Sequence, residues 1–377
     1  MKKIAIIGGG ISGLYFANLL QNNQNYQFKV FEKKSHFELN DGYGIQLSVN
    51  SIKLLNNIGF KNIEAHEVSF PNKVNFFDAK NCKKITDIDI SKFNNENNRY
   101  TTLKRSTLLN FLLKSIPENN IVKNCELKNI NYEDKINLLF SNNHTEKFDY
   151  LLVSDGVFSK SKSIIFQKDT NPKYFNSIAL RGTIKNIESS DISIYLGSNF
   201  HFVIYPVNQN KEFNFISIVS KSLTKEQITD KSYFQNSEFL NSLVDEISSM
   251  TSFNLINKIE NIKSFPVFVS DKFAIPEEKN IFFAGDALYA FPPSFAQGAS
   301  QSIEASKEIY DEIENNTYSY YQKRQKKIKS VNSRSILNNF AFHLSNPLTV
   351  LIRNIFLKYL SKNKKFLENY LGKIYKN

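Results

Sequence analysis

Gly8, Gly10 and Gly13 fall in the spacing G-x-G-x-x-G, and a carboxylate, Glu32, follows nineteen residues after the last of them. Glycines so placed let a backbone turn tightly, approach a pyrophosphate and aim helix N–H groups at it. An acid at the end of the following strand can accept hydrogen bonds from both ribose hydroxyls and repels a 2′-phosphate. The chemistry implied is adenine dinucleotide binding, with FAD and NAD served equally. A second cluster lies far along the chain in "FFAGDALYAFPPSFAQGAS" (282–300), where one acid, Asp286, precedes two prolines and a run of small residues. A carboxylate accepts from ligand hydroxyls at charge-assisted strength. A helix opened by small residues can bring its positive end close to an anionic group, with Pro292 and Pro293 fixing its direction.

These groups need a frame to hold them. "KIAIIGGGISGLYFANLLQ" predicts a buried strand, a glycine turn and a helix, and "FKVFEKK" a second strand that ends at Glu32. Residues 70–97 alternate like β-structure, "STLLNFLLKSI" from Ser106 is an amphipathic helix, and "KFDYLLVSDGVFSKSK" is a strand stopping at Asp155 and Gly156. From about 172 to 263 the texture is that of an antiparallel sheet followed by a helical stretch (225–250), and helical pattern fills the chain after 319. On "HFVIYPV", alternation places His201, Val203 and Tyr205 on one face and Phe202 and Ile204 on the other. No internal repeat shows at periods of 20 to 50 residues.

Composition narrows the function classes. A chain of 377 residues with 41% hydrophobic residues can bury one large or two ordinary cores. Cys82 and Cys125 make neither a disulfide framework nor a metal site, which fits a reducing cytoplasm. No window offers eighteen uninterrupted apolar residues, and the apolar run after the basic start is broken by glycines too early for a signal peptide. The net charge of +12 is read as spread over every surface, since only "KRQKKIK" (323–329) and "KNKK" (362–365) stand out, and no nucleic-acid partner is expected.

"YLLVSDGVFSKSK" resembles the Asp-Gly motif, and "FFAGDALYAFPPSFAQGASQSIEAS" the Gly-Asp motif, of the single-component FAD-dependent aromatic hydroxylases; "AQGA-x-Q-x-IE" is most similar to the salicylate-hydroxylase-like branch. The matches extend through "GYGIQLSVNSIKLLNNIGF" (42–60), "LKRSTLLNFLL", "LRGTI", "HFVIYPV" and "SVNSRSILNNFAFHLSNPLTVLIRN". The resemblance implies an α/β fold: an FAD-binding Rossmann-like layer from residues 1–70, 98–170 and 264–318, an inserted antiparallel β-rich substrate domain from 71–97 and 171–263, and a C-terminal helical segment, 319–377. It implies tightly bound FAD held by Gly8, Gly10, Ile11, Ser12, Gly13, Glu32 and Lys33 at one end. Gln46, Arg105 and Asp155 follow, then Gly285, Asp286 (on the ribityl hydroxyls), Pro293, Gln297, Gly298, Ala299 and Ser300 around the ring.

The resemblance further implies a monooxygenase that uses NADH or NADPH as a transient reductant and O2, which adds at flavin C4a before an oxygen passes to an aromatic small molecule. His201 is the candidate acceptor of a phenolic proton, Tyr205 its relay, and Pro293 lies at the reacting face. His343, in the family's C-terminal "fHl" segment, is read as packing the tail. The chain departs from the family wording at Ser154, Lys162, Leu180, Tyr289, Ser300 and Ala305. Two alternatives stay open: a hydroxylase of a quinone-precursor-like lipid resting weakly on a membrane through the basic tail, and an FAD-binding protein without hydroxylase turnover. A monomer or homodimer is expected.

Overall fold

The structure, a computed structural model, describes residues 1–37, 39, 43–254 and 258–375; Gly42, the first residue of one motif quoted above, lies outside them. The glycine spacing sits where it should, between β1 (Lys2–Ile7) and α1 (Ile11–Gln21), with β2 (Tyr26–Phe31) after it. Ile4, Ala5 and Ile6 are fully buried, because a parallel strand is covered on both faces and so reads as an unbroken apolar run.

The chain continues through β3 (Gly44–Leu47), α2 (Val49–Asn56), β4 (Val68–Ser69), β5 (Lys73–Asp78), β6 (Lys84–Asp89), β7 (Thr101–Lys104) and α3 (Arg105–Lys114). Next come β8 (Ile121–Val122), β9 (Leu127–Tyr132), β10 (Ile136–Phe140), β11 (Thr145–Phe148), β12 (Tyr150–Val153) and α4 (Lys160–Phe166). A long β segment follows: β13 (Lys173–Ile184), β14 (Ile192–Leu196), β15 (Phe200–Pro206) and β16 (Phe213–Ser220), then α5 (Lys225–Thr229), α6 (Ser237–Ser249) and β17 (Ile259–Val269). The chain closes with β18 (Ile281–Phe283), α7 (Gly298–Asn315), α8 (Tyr320–Phe342), α9 (Pro347–Leu360), α10 (Lys364–Leu367), a π-helical turn (Glu368–Gly372) and α11 (Lys373–Tyr375).

Five parallel strands in the order β18, β12, β1, β2, β8 form the first sheet. Its connections leave β1 in opposite directions, so the crevice beyond the carboxyl end of β1, where Gly8 lies, is the switch point at which such sheets bind ligands. The second sheet has seven strands in the order β17, β13, β16, β15, β14, β5, β6. It is antiparallel except where β5 lies parallel to β14, a pairing between two separate stretches of chain. It also keeps residues 264–269, which the expected boundary gave to the nucleotide layer, because β17 stays paired with β13 as far as Val269.

A smaller sheet in the order β3, β7, β4 is tied to the second sheet by hydrogen bonds across their junction. The Gly44 N–H donates to Asn214 Oδ1 (2.6 Å), and Thr102 Oγ1 donates to the Pro206 carbonyl (2.5 Å). Helix α8 bridges the layers: Tyr320 and Tyr321 donate to the carbonyls of Phe283 and Ile281, and Phe342 at the far end packs with Phe76 and Leu196 of the second sheet. Buried Arg324 ties α8 to α7 through Gln301 Oε1 (2.6 Å) and Glu304 Oε2 (3.0 Å).

Candidate cofactor and substrate site

Gly8 adopts φ +101°, and a Cβ there would lie 2.5 Å from the Ser154 carbonyl oxygen, so glycine is required twice over. Gly13 lets α1 approach: a Cβ would overlap the Gly8 carbonyl and stand 2.7 Å from Ser154 Oγ. Ser154, a departure from the family wording, donates its hydroxyl toward the carbonyls of Ile7 (3.0 Å) and Gly8 (3.2 Å) and so fixes the loop from beneath. Helix α1 has Gly10 as its cap, no capping side chain and no acid in its first turn, which leaves its first N–H groups for an anion.

Gly8, Gly10, Glu32, Lys33, Arg105 and Asp155 line one cavity of about 230 Å³. Glu32 accepts from the Gly9 N–H with one oxygen and the Lys34 N–H with the other, both at 2.9 Å. Each oxygen keeps a further lone pair for a ribose hydroxyl. Asp155 Oδ2 accepts from the Ser161 N–H (3.2 Å), while burial pushes its carboxyl up against the pull of bonds from Ser159 and Ser161.

Asp286 lines a second, larger cavity of about 710 Å³. It sits in a short 3-10 turn whose cap is Ala284 and caps no helix itself. Burial raises its carboxyl, while the charges of Arg105 and Arg181 pull it down. Arg105 opens α3, its N–H donating to the Tyr43 carbonyl (2.8 Å), and thus borders the first cavity while acting on the acid of the second. Gly285 rests against Ser302 and Ser12. Pro293 begins a 3-10 turn, and Ala296 ends it in a left-handed conformation, φ +51°. Helix α7 therefore opens at Gly298, with Gln297 as its N-cap, no capping side-chain bond and no acid in the first turn. Pro293, Gln297, Gly298 and Ala299 line the large cavity.

Two of the expected cofactor residues spend their hydroxyls inside the protein. Ser12 Oγ is taken by Ser306 Oγ (2.8 Å), and Ser300 Oγ accepts from the Ser48 N–H (3.1 Å) and pairs with Ser51 Oγ (2.9 Å). Both hydroxyls join helices together. Ile11, partly buried, packs on the core of the first layer.

The residues present fit FAD. Among the described residues, Asp155 Oδ1 and Gln297 Nε2 are buried polar atoms with no protein partner, one an acceptor and one a donor. Gly10 and Gly298, each at the start of a helix, have open space where a side chain would stand. The first cavity carries charges of both signs, Lys33 and Arg105 beside Glu32 and Asp155, and its Arg105 acts on Asp286 of the second.

The large cavity is walled by β14, β15 and β16 through Ile192, Ile194, His201, Val203, Tyr205, Asn214 and Ile216, and roofed by α8 and α9. Phe202 and Ile204 point away into a separate core. At one end Tyr205, whose phenol burial holds protonated, faces Gln46, Asn214 and Arg181, and Tyr100 also donates to Gln46 Oε1 (2.8 Å). At the other, His201 Nδ1 lies 2.8 Å from His343 Nε2, and His343 Nδ1 lies 2.9 Å from Ser220 Oγ. Burial holds both imidazoles neutral, His201 well below the ordinary histidine value and His343 down to about 4.

Tyr205, the expected relay, stands four positions along β15 from His201, and the side-chain partner of His201 is instead His343. Sequence reading missed this role for His343, and missed Arg181 and Asn214. "LRG" and "fHl" were visible as wording, but the pairing joins positions 142 apart. The other departures are packing: Tyr289 lies on Phe291, Ala305 and Leu180 are buried, and the Lys162 ammonium donates to the Leu288 carbonyl (3.3 Å).

Fold and site together define a protein with a glycine-lined crevice at the end of β1 and a largely apolar cavity against the second sheet. A family model of NAD(P)-binding Rossmann-like domains matches residues 6–39. The FAD-dependent monooxygenase pigN of Monascus ruber is 24% identical over 344 residues, 80% of this chain and 74% of that protein. A 3-amino-4-hydroxybenzoate 2-monooxygenase of Streptomyces platensis is 22% identical over 359 residues, 91% of this chain and 89% of its own. Among solved structures, a salicylate hydroxylase substrate complex superposes with TM-score 0.80 at 17% identity, covering 100% of this chain and 95% of the other. Klebsiella pneumoniae HpxO with FAD and uric acid gives 0.79 at 14% identity, over 99% and 96%. The resemblance drawn from the sequence is borne out: the fold is that of the FAD-dependent hydroxylases, and both of these curated relatives are monooxygenases, pigN an FAD-dependent one.

Proposed function

We propose that the chain is an FAD-dependent monooxygenase that uses NADH or NADPH and O2 to hydroxylate an aromatic or comparable small ring. The observation that carries this reading is the charge of Arg105, which lines the glycine crevice, acting on Asp286, which lines the apolar chamber beside Pro293 and the uncapped start of α7. FAD, when bound, would supply reduction by the nicotinamide and activation of oxygen. Gly8, Gly10, Gly13, Glu32, Lys33, Arg105 and Asp155 would hold its adenine and phosphate half. Asp286 would accept from the ribityl hydroxyls. The first N–H groups of α7 and the Gln297 amide would face the ring edge that gains negative charge.

The apolar strand face excludes water, and His201 is the group placed to take a proton from a ring hydroxyl. In the tautomer with its proton on Nδ1, His201 accepts at Nε2 while passing Nδ1–H to His343 Nε2, which in turn releases Nδ1–H toward Ser220. No second glycine-rich phosphate loop occurs in the sequence, so the nicotinamide would visit transiently. The test is NAD(P)H consumption by the FAD-loaded protein across phenols and ring carboxylates. Stimulation together with a hydroxylated product supports the reading, and consumption indifferent to every ring compound contradicts it.

A further inference from the structure

Helix α9 is built inside out. Its residue buried in the protein is Arg353, whose guanidinium meets Asn354 Oδ1 (2.9 Å) and the Ala341 carbonyl (3.4 Å). Its apolar residues face outward: Leu348, Leu351, Ile352, Ile355, Phe356 and Tyr359 are 44% to 67% exposed. Their spacing (i, i+3, i+4, i+7, i+8, i+11) is the stripe that a helix ordinarily buries. Ile336, Leu337 and Phe340 at the end of α8 are as exposed and extend the same surface. An apolar face of this extent on one helix pair marks an interaction surface.

The charge of the chain identifies the partner. Residues 319–377 contain thirteen Lys and Arg against one acid, Glu368, a surplus of twelve that equals the net charge of the whole chain. Residues 1–318 are therefore balanced, and the surplus is not spread over every surface as the composition suggested. Lys358, Lys362, Lys364 and Lys365, all exposed, stand on or directly after the apolar helix. Apolar residues beside lysines are what an anionic lipid interface retains. Two copies meeting through this face would bring like charges together, which disfavours a dimer.

The surface is also continuous with the chamber. Leu337, Phe340, Ile352 and Phe356 are both exposed on the patch and part of the lining of the 710 Å³ cavity. We propose that α9 and the end of α8 seat the protein on an anionic lipid surface, with the mouth of the substrate cavity opening into the acyl boundary. The substrate class that follows is an apolar ring compound that partitions into lipid, and this consequence rests on the monooxygenase reading, whereas the docking does not.

Docking is measured without turnover, by sedimenting the full-length FAD-loaded protein with phosphatidylcholine vesicles that do or do not contain one quarter phosphatidylglycerol. The expected result is pelleting with the anionic vesicles, weakened by 0.5 M salt. L351Q/I355Q, which alters exposed positions outside the cavity lining, should cut partitioning more than tenfold at unchanged flavin content. K364Q/K365Q should cut it roughly 25-fold, at about fivefold per lysine. Wild-type protein left in the supernatant at low salt overturns the proposal. So does equal binding by L351Q/I355Q, or a stable dimer that this variant dissolves while vesicles bind nothing. Failure here leaves NAD(P)H consumption in free solution intact, so the two readings fail separately.

Discussion

His201 and His343 share a hydrogen bond of 2.8 Å at one end of the apolar chamber, with Ser220 continuing the line from His343. A phenolic proton taken by His201 thus has a route away from the reacting ring that does not pass Tyr205. His343→Asn keeps the bulk of the site but removes the second imidazole. We expect kcat to fall about 10- to 100-fold with KM nearly unchanged, and the pH–rate profile to lose its dependence on this pair. An unchanged profile would leave His343 a packing residue only.

The same pair makes stability sensitive to acid. His343 titrates near 4 in the folded protein and near the ordinary 6.5 when unfolded, and burial depresses His201 as well. Between those values the unfolded chain binds more protons, so stability is lost as pH falls from about 6.5 toward 4. For His343 this amounts to about 3 kcal/mol. Urea midpoints measured from pH 7.5 to 4.5 should decline for the wild type and more shallowly for His343→Asn.

Asp286 trades stability for cofactor. Burial raises its carboxyl, so the ionised form weakens the cofactor-free fold at every pH above its unfolded value. Asp286→Asn should raise the melting temperature of the flavin-free protein at pH 7 while lowering FAD affinity about 10- to 100-fold, the worth of a charge-assisted hydrogen bond. Flavin per chain after gel filtration, alongside a thermal scan, reads both. For the wild type, FAD retention should drop on acidification as the carboxylate takes up its proton.

Two glycines of one motif should fail in different ways. Gly8→Ala forces φ +101° on a side chain and overlaps the Ser154 carbonyl, so it should cost about 1–3 kcal/mol of stability or more. Gly10→Ala meets nothing within 4 Å. It should fold with a near wild-type melting temperature and still lose FAD, because the methyl stands where the pyrophosphate approaches. Equal flavin content in Gly10→Ala and wild type would contradict the assignment of this cradle.

How far the sequence was legible follows from the range of each signal. The β1–α1–β2 unit was readable because Gly8, Gly13 and the apolar run act within a few residues of each other. Alternation on β15 gave the face of His201 and Tyr205 correctly. It did not show that His343 stands beside His201, and so suggested Tyr205 as the relay. Ser12 and Ser300 sit inside motif wording, yet helical geometry turns their hydroxyls toward neighbouring helices. The outward stripe of α9 was present as spacing. Only the fold shows that Arg353, and not Leu351 or Ile355, faces the protein.

The central claim is that oxygen from O2 enters a ring bound in the chamber between α7 and β15. The most direct measurement is the reaction of the FAD-loaded protein with NAD(P)H under ¹⁸O2, with mass spectrometry of products from phenols, ring carboxylates and lipid-partitioning ring compounds. The account predicts one labelled oxygen in a product whose yield falls in His201→Phe. Reduction of all the labelled gas to hydrogen peroxide, at a rate that no ring compound alters, would contradict it.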